Sequence, residues 1–260
     1  MIEKTSNESF KSIRKLNNKR YRDATSDCFD ILLEGERLIW QAIDYQLDIK
    51  SVYIREDRVE QYQALLSKRV SCPIYSLSKK QSDMLSETEN EQGIFAQMRF
   101  KTIGLKNQES GAQHILVYLN GISDPGNLGA IFRCASAFGV AGLILDEACC
   151  DLSNSKLIRA SLGAVFSVPV LKADKEWLLA RKEKIYVTVS DAESDDCVSI
   201  NEFSFPDTSY ILVIGSEAHG VSDSIKKLAE KKVYIPMQSK MESLNVAVAS
   251  GIFMYRMSMK

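Results

Sequence analysis

Five short runs that are apolar but for Thr188 constrain this chain most: Ile115–Leu119, Gly142–Leu145, Ile185–Val189, Tyr210–Ile214 and Val233–Ile235. A strand with one wet face alternates apolar and polar side chains, and these runs do not, so both faces of each must be covered. Helices in the gaps between them would supply that cover, and such alternation builds a mostly parallel sheet. The expected class is α/β. The first hundred residues alternate more loosely. A basic helix is expected over 8–22, then a strand at Cys28–Leu33 ending at Glu34-Gly35, and a helix through Leu38, Ile39, Ala42 and Ile43. Strands at Ser51–Ile54, Pro73–Tyr75 and Gly93–Ala96 and a helix around 57–68 complete the first α/β unit. The polar stretch 101–113 lacks periodicity, so the organisation expected is a domain at 1–100, a linker at 101–113 and a larger domain at 114–260.

Charge and composition exclude several classes. Thirty-three basic residues face 34 acidic ones, so no global positive field marks a nucleic-acid binder. The exception is local: between Met1 and Ser26 seven basic residues outnumber three acidic ones, which makes Arg14, Lys15, Lys19 and Arg20 a candidate backbone-binding face. The apolar stretch Leu244–Tyr255 falls well short of the roughly 20 residues that a membrane span needs, and the first residues lack a secretory pattern. Six cysteines without a C-x-x-C pair read as thiols in a reducing cytoplasm, with the vicinal Cys149 and Cys150 packed as small buried residues. Two histidines, His114 and His219, are too few for a His-rich metal centre, and no Cys/His spacing suits zinc, so no metal is expected. The acidic stretch 191–196 reads as a solvated loop.

Three segments at expected strand ends carry chemistry, which is where open α/β sheets place their ligands. The first runs from Asn120 to Arg133. Asp124 followed by Pro125 is an N-cap and first helical position, and Leu128, Ile131, Phe132 and Ala135 form a buried stripe that leaves Gly129 and Arg133 off it. Arg133, about 9 Å along the axis from Asn127, could reach back toward the helix mouth; the alternative is an ordinary surface arginine. The second segment, Ile214–Ser222, has two glycines spaced as in a phosphate loop, but Val221 stands where the lysine belongs, and no G-x-G-x-x-G follows the first strands. Glu217 could accept hydrogen bonds from a ligand or hold its own loop, and His219 is either a base or a solvent-facing loop residue. In the third segment, Ile235–Gly251, Ser243 is the expected cap of a helix with Leu244, Val248, Ile252 and Tyr255 on one apolar face, and Ser243 and Asn245 could do no more than cap it.

The ordered set N-G-I-S-D-P-G-N-L-G-A-I-F-R, I-G-S-E-A-H-G and I-P-M-x₅-S-L-N-V-A-V-A closely resembles the three motifs of the SpoU (TrmH-type) RNA ribose methyltransferases. Residues 158–166 also look like that family, and the Leu33-Glu34-Gly35 region resembles its small substrate-binding domain, akin to an RNA-binding ribosomal protein. The resemblance implies methyl transfer from S-adenosylmethionine to a ribose 2′-hydroxyl, by a homodimer whose catalytic domain is tied in a trefoil knot. Asn127, Arg133, Glu217, Ser243 and Asn245 match its catalytic positions. Val189, Ser190, Gly215, Ser216, Gly220, Ile235, Met237, Ser243 and Leu244 are the implied cofactor contacts. A guanidinium is a poor proton acceptor, so Arg133 is expected to grip a phosphate and stabilise the developing oxyanion, with Glu217 positioning Arg133 or the loop. Two departures stand in the second motif: Ser216 where Asn is common, and Ala218 where Gly is, the latter strained if its φ is positive. The separate N-terminal unit favours ribosomal over transfer RNA as partner; a transfer-RNA enzyme or a non-catalytic RNA-binding factor are the alternatives.

Overall fold

The computed structural model describes residues 2–16, 28–105, 114–191, 196–238 and 243–259. Lys19, Arg20, the part of the expected linker at 106–113 and most of the acidic stretch lie outside these. The chain forms two compact units, Met1–Thr102 with Asp151–Phe166, and Ile103–Cys150 with Ser167–Lys260.

The first unit begins with β1 (Glu3–Lys4) and α1 (Asn7–Lys15), which Ser6 caps by accepting from Ser9 N and which buries Phe10 and Ile13. It continues through β2 (Cys28–Glu34), α2 (Glu36–Asp44), β3 (Asp48–Arg55), α3 (Val59–Leu66), β4 (Ile74–Leu77), α4 (Lys79–Leu85) and β5 (Ile94–Lys101). The strand order is β1-β4-β3-β5-β2, with β5 antiparallel to both of its neighbours. Leu38, Ile39 and Ala42 are the buried face of α2, as their spacing predicts. The seven-residue α4 is too short to show a period, and its local signal is a capping box: Ser78 Oγ accepts from Gln81 N and Ser78 N donates to Gln81 Oε1.

The second unit contains β6 (Ile115–Asn120), α5 (Pro125–Ala137) and β7 (Gly142–Leu145). After α6 (Ser155–Ser161), which clusters with the first unit, come β8 (Val170–Lys172), α7 (Lys175–Leu179), β9 (Lys184–Val189) and β10 (Cys197–Ser199). The last elements are β11 (Tyr210–Gly215), α8 (Asp223–Lys226), β12 (Lys231–Tyr234) and α9 (Val246–Ser258). Its seven strands lie in the order β10-β12-β9-β11-β6-β7-β8, and every neighbouring pair is parallel. Every residue of β7 and β11 is buried, as uninterrupted apolar runs require.

The two-unit division does not follow a single cut near residue 100. Segment 151–166 joins the first unit through tertiary contacts: the Phe166 ring lies 5.5 Å from Phe100, Arg159 pairs with Glu87 at 3.0 Å, and Leu157 and Ile158 are buried. Conversely Ile103, inside the expected linker, accepts from Val170 N at 2.7 Å and so belongs with the second sheet.

Candidate active site

Parallel register assembles the site. Asn120 at the end of β6 is the partner of Gly215 at the end of β11, and Tyr234 of β12 is the partner of Val189 of β9, so the loops after all four strands leave one edge of the sheet. Asn120 then ties the loop after β7 to the loop after β11. Its Nδ2 donates to Asp146 Oδ2 at 2.6 Å while its Oδ1 accepts from Ser222 N at 2.9 Å. Asp146 Oδ1 also accepts from Gly121 N at 3.0 Å. Sequence reading missed Asn120 and Asp146 as positioning residues; the only local hint is the Asn-Gly pair at a strand end. Cys149 braces the same turn, its Sγ donating to Leu119 O and accepting from Ile122 N. Burial, aided by the Asp146 carboxylate, pushes its thiol up to about 12, so it packs as an unreactive thiol.

Helix α5 opens as expected. Asp124 Oδ1 accepts from Asn127 N at 2.8 Å, Pro125 occupies the first turn, and Leu128, Ile131, Phe132 and Ala135 are buried. Gly129 is buried as well, contrary to the expected stripe, because α9 and β7 both pack against α5.

Between β11 and α8 the chain makes a tight turn, in which Gly220 N donates to Ser216 O at 2.8 Å. Gly220 has φ +62°, the left-handed conformation that glycine adopts most readily. Gly215 is needed for close approach instead: a Cβ there would lie 2.0 Å from the Gly220 carbonyl carbon and 2.2 Å from Val221 N. Ala218 is absent from the positive-φ residues, so this departure from the motif carries no backbone strain.

Three side chains, one from each motif, converge on this turn. Glu217 Oε1 accepts from Asn127 Nδ2 at 2.9 Å, from Asn245 Nδ2 at 2.8 Å and from Val246 N at 3.3 Å. Asn245 Nδ2 also donates to Asn127 Oδ1 at 3.0 Å, which closes a ring of two carboxamides around one carboxylate oxygen. Asn245, and not Ser243, caps α9, its Oδ1 accepting from Ala247 N and Val248 N at 3.0 and 3.3 Å. That cap fixes which end of the amide donates to Glu217. Ser243 stands two residues before its expected role and makes no hydrogen bond with a described residue.

Arg133 does not join the ring. It is exposed and makes no hydrogen bond or ion pair with a described residue. The reason is helical geometry: six residues advance the helix by about 600°, roughly a third of a turn off the Asn127 face. Glu217 therefore positions the two carboxamides and the loop rather than Arg133.

Two concavities adjoin the ring, and Glu217 lines both. One is a cleft of about 350 Å³ over the strand ends, and all nine residues expected to contact a cofactor line it: Val189, Ser190, Gly215, Ser216, Gly220, Ile235, Met237, Ser243 and Leu244. Thr188, Lys226 and Phe253, which no motif signals, line it too. The other is a hollow of about 210 Å³ bounded by Gly121–Asp124, Asn127, Ser216–His219 and Val246. In the first unit, Arg14 and Lys15 are exposed in the last turn of α1. Among the described residues no cluster of three or more potential metal ligands occurs.

Helix α9 also corrects its sequence reading. Val246, Ser250, Phe253, Met254 and Met257 are buried, whereas Val248, Ile252 and Tyr255 are 53%, 37% and 53% exposed. The helix is apolar on nearly every side, so its period alone could not say which face turns inward.

A profile of the SpoU rRNA Methylase family matches residues 114–255, and one of the MRM3-like substrate binding domain matches residues 7–96. The chain is 27% identical to the 23S rRNA (guanosine(2553)-2′-O)-methyltransferase RlmP of Bacillus subtilis, over 98% of each. It is 34% identical to a 23S rRNA (adenosine(1067)-2′-O)-methyltransferase of Streptomyces laurentii, over 69% of this chain and 67% of that one. Among solved structures, the AdoMet-bound rRNA methyltransferase from Sinorhizobium meliloti superposes with a TM-score of 0.80 at 26% identity, covering 98% of this chain and 95% of the other.

Proposed function

This chain belongs to the SpoU rRNA methylase family, and we propose that it is an enzyme transferring a methyl group from S-adenosylmethionine to a ribose 2′-hydroxyl of ribosomal RNA. The observation that carries this reading is the convergence of Asn127, Glu217 and Asn245, separated by up to 118 positions in sequence, into one hydrogen-bonded ring whose Glu217 lines both a cleft and a hollow. The resemblance of the full chain to 23S rRNA 2′-O-methyltransferases favours ribosomal over transfer RNA.

The cleft fits an adenine-bearing cofactor. Val189, Ile214, Ile235 and Leu244 offer apolar walls for a flat ring, and loop backbone with Ser190, Ser216 and Ser243 offers partners for polar groups. The Gly215 contact leaves no room for a Cβ, which keeps the turn pressed onto the strand end. When bound, S-adenosylmethionine supplies an electrophilic methyl on a sulfonium centre. This chain's residues then hold the ribose in the hollow: the carboxamide of Asn127, which lines it, orients its oxygens, and Glu217 and Asn245 lock that carboxamide in place. Arg133, outside the ring, is assigned to a phosphate of the bound RNA as a planar bidentate donor. Arg14, Lys15, Lys19 and Arg20 are assigned to the RNA backbone, so neutralising them lowers affinity and flattens its salt dependence.

Three broader features belong to the same reading. The exposed apolar face of α9 (Val248, Ile252, Tyr255) is the surface of a homodimer, because a helix apolar all round needs cover on both sides. Ile235, Met237, Ser243 and Leu244 line one cleft with the Ser216–Gly220 turn, and Asn245 bonds Glu217 within it, a proximity that supports a trefoil knot. All six cysteines are thiols, which supports a reducing cytoplasmic setting, and no described helix is long and apolar enough to cross a membrane.

The test incubates the purified protein and tritiated S-adenosylmethionine with undermodified ribosomal RNA, ribosomal particles and transfer RNA, followed by alkaline hydrolysis. A 2′-O-methyl blocks cleavage at its own linkage, so the expected product is a labelled, alkali-resistant dinucleotide from ribosomal RNA. Label in transfer RNA alone overturns the substrate assignment. Cofactor binding with no label in any RNA overturns the enzymatic reading.

A further inference from the structure

A ribose hydroxyl must lose its proton as it is methylated, and the hollow restricts what can take it; this inference rests on the reading that the hollow receives the ribose. Three titratable side chains line it: Asp124, Glu217 and His219. Asp124 is committed as the α5 cap through Asn127 N at 2.8 Å. Glu217 Oε1 already takes three donors, at 2.9, 2.8 and 3.3 Å, and its protonation would weaken the ring that orders the site. Arg133 and Lys226 are cations that donate only. His219 differs from all of these. It lines both the hollow and the cleft, it is exposed, and its backbone N–H donates to Ser216 Oγ at 3.3 Å while its ring makes no hydrogen bond with a described residue.

We propose that His219 is the proton acceptor for the ribose 2′-hydroxyl. As the oxygen bonds to the methyl carbon and the S–CH₃ bond breaks, sulfur keeps that bond's electron pair and the hydroxyl proton passes to an imidazole nitrogen. The imidazolium then releases its proton to water. Imidazole suits this work because it titrates between pH 5 and 8, where a guanidinium or ammonium stays charged. The charged groups that share these linings with His219 are Asp124 on the α5 cap, Glu217 on the same loop and, in the cleft, Lys226 of α8.

The test uses the full-length protein and single-turnover kinetics, so that product release does not mask chemistry. Wild type should show a rate that rises with pH and levels off, as an imidazole base requires. His219→Ala should lose about 10²-fold or more in that rate and lose the rising limb, with affinity for cofactor and RNA within threefold and partial rescue by added imidazole. A second readout needs no turnover. The chain has two histidines, and His114 is held by Ser209 Oγ at 3.0 Å and Glu183 Oε1 at 3.3 Å. Adding substrate RNA should therefore move the NMR titration of His219 and leave that of His114 in place. A His219→Ala rate within threefold of wild type, or one that keeps the rising limb, overturns the proposal. A wild type that methylates no RNA removes the function on which it rests, whereas an active His219→Ala beside an active wild type removes this assignment alone.

Discussion

Gly215→Ala is the sharpest single perturbation available at the site. The added Cβ would lie 2.0 Å from the Gly220 carbonyl carbon and 2.2 Å from Val221 N. Both are backbone atoms, so no rotamer change relieves the clash. The turn must retreat by about 1 Å to restore even the tightest tolerable contact. Glu217, two residues along the same turn, then loses its partners, since a 2.9 Å bond to Asn127 stretched by that much passes 3.5 Å. Overpacking of this kind costs about 1–3 kcal/mol, which for a chain of this size lowers Tm by roughly 3–10 °C. Turnover should fall further than stability, by about 10²-fold, because a 1 Å misplacement of orienting groups is enough for that. The control is Gly104→Ala, where an added Cβ meets nothing within 4 Å and stability should stay within about 0.5 kcal/mol. Calorimetry and single-turnover transfer of tritiated methyl read both effects. A Gly215→Ala protein that melts within 1 °C of the control and turns over within threefold of wild type would refute the argument from close approach.

Asn245→Asp keeps a capping oxygen for α9 but sets a second carboxylate against Glu217, 2.8 Å away; melting should change by under about 1 kcal/mol while turnover drops about 10- to 100-fold, and equal losses in both would contradict the separation of roles. Burial pushes the Glu183 carboxyl up, but Arg181, backbone and His114 hydrogen bonds outweigh it and hold it at about 2, against an ordinary 4.5. A depressed acid stabilises the fold above the ordinary value and loses that stabilisation as pH falls toward 2, so Glu183→Gln should flatten this part of the acid denaturation curve, removing up to about 3 kcal/mol of its pH dependence. Ile252→Lys places a charge in the exposed face of α9 without disturbing buried Phe253 or Met254, and light scattering should report a monomer that keeps its helical content; an unchanged dimer would move the interface elsewhere.

Much of this protein could be read locally. The apolar runs marked five strands of the second sheet to within a residue or two, because a strand covered on both faces has only one composition available to it. Asp124-Pro125 marked the start of α5 for an equally local reason, a cap and a fixed φ. The family motifs named Asn127, Glu217 and Asn245, which the fold brings within hydrogen-bonding distance of one another.

What the sequence could not decide depends on partners distant along the chain. Ser243 was the expected cap, yet Asn245 takes that role while its amide engages Glu217, 28 residues away. Whether Ala218 is strained depends on its φ, which its residue type does not reveal, and the turn assigns the positive φ to Gly220. Arg133 follows Asn127 closely in sequence and still stands apart, since rotation about the helix axis overrides proximity along it. Segment 151–166 belongs by sequence to the second unit and by packing to the first, where Phe100 and Glu87 receive it. The inward face of α9 was settled by packing against α5, where Gly251 sits on Cys134, because a helix apolar on all sides carries no preference of its own.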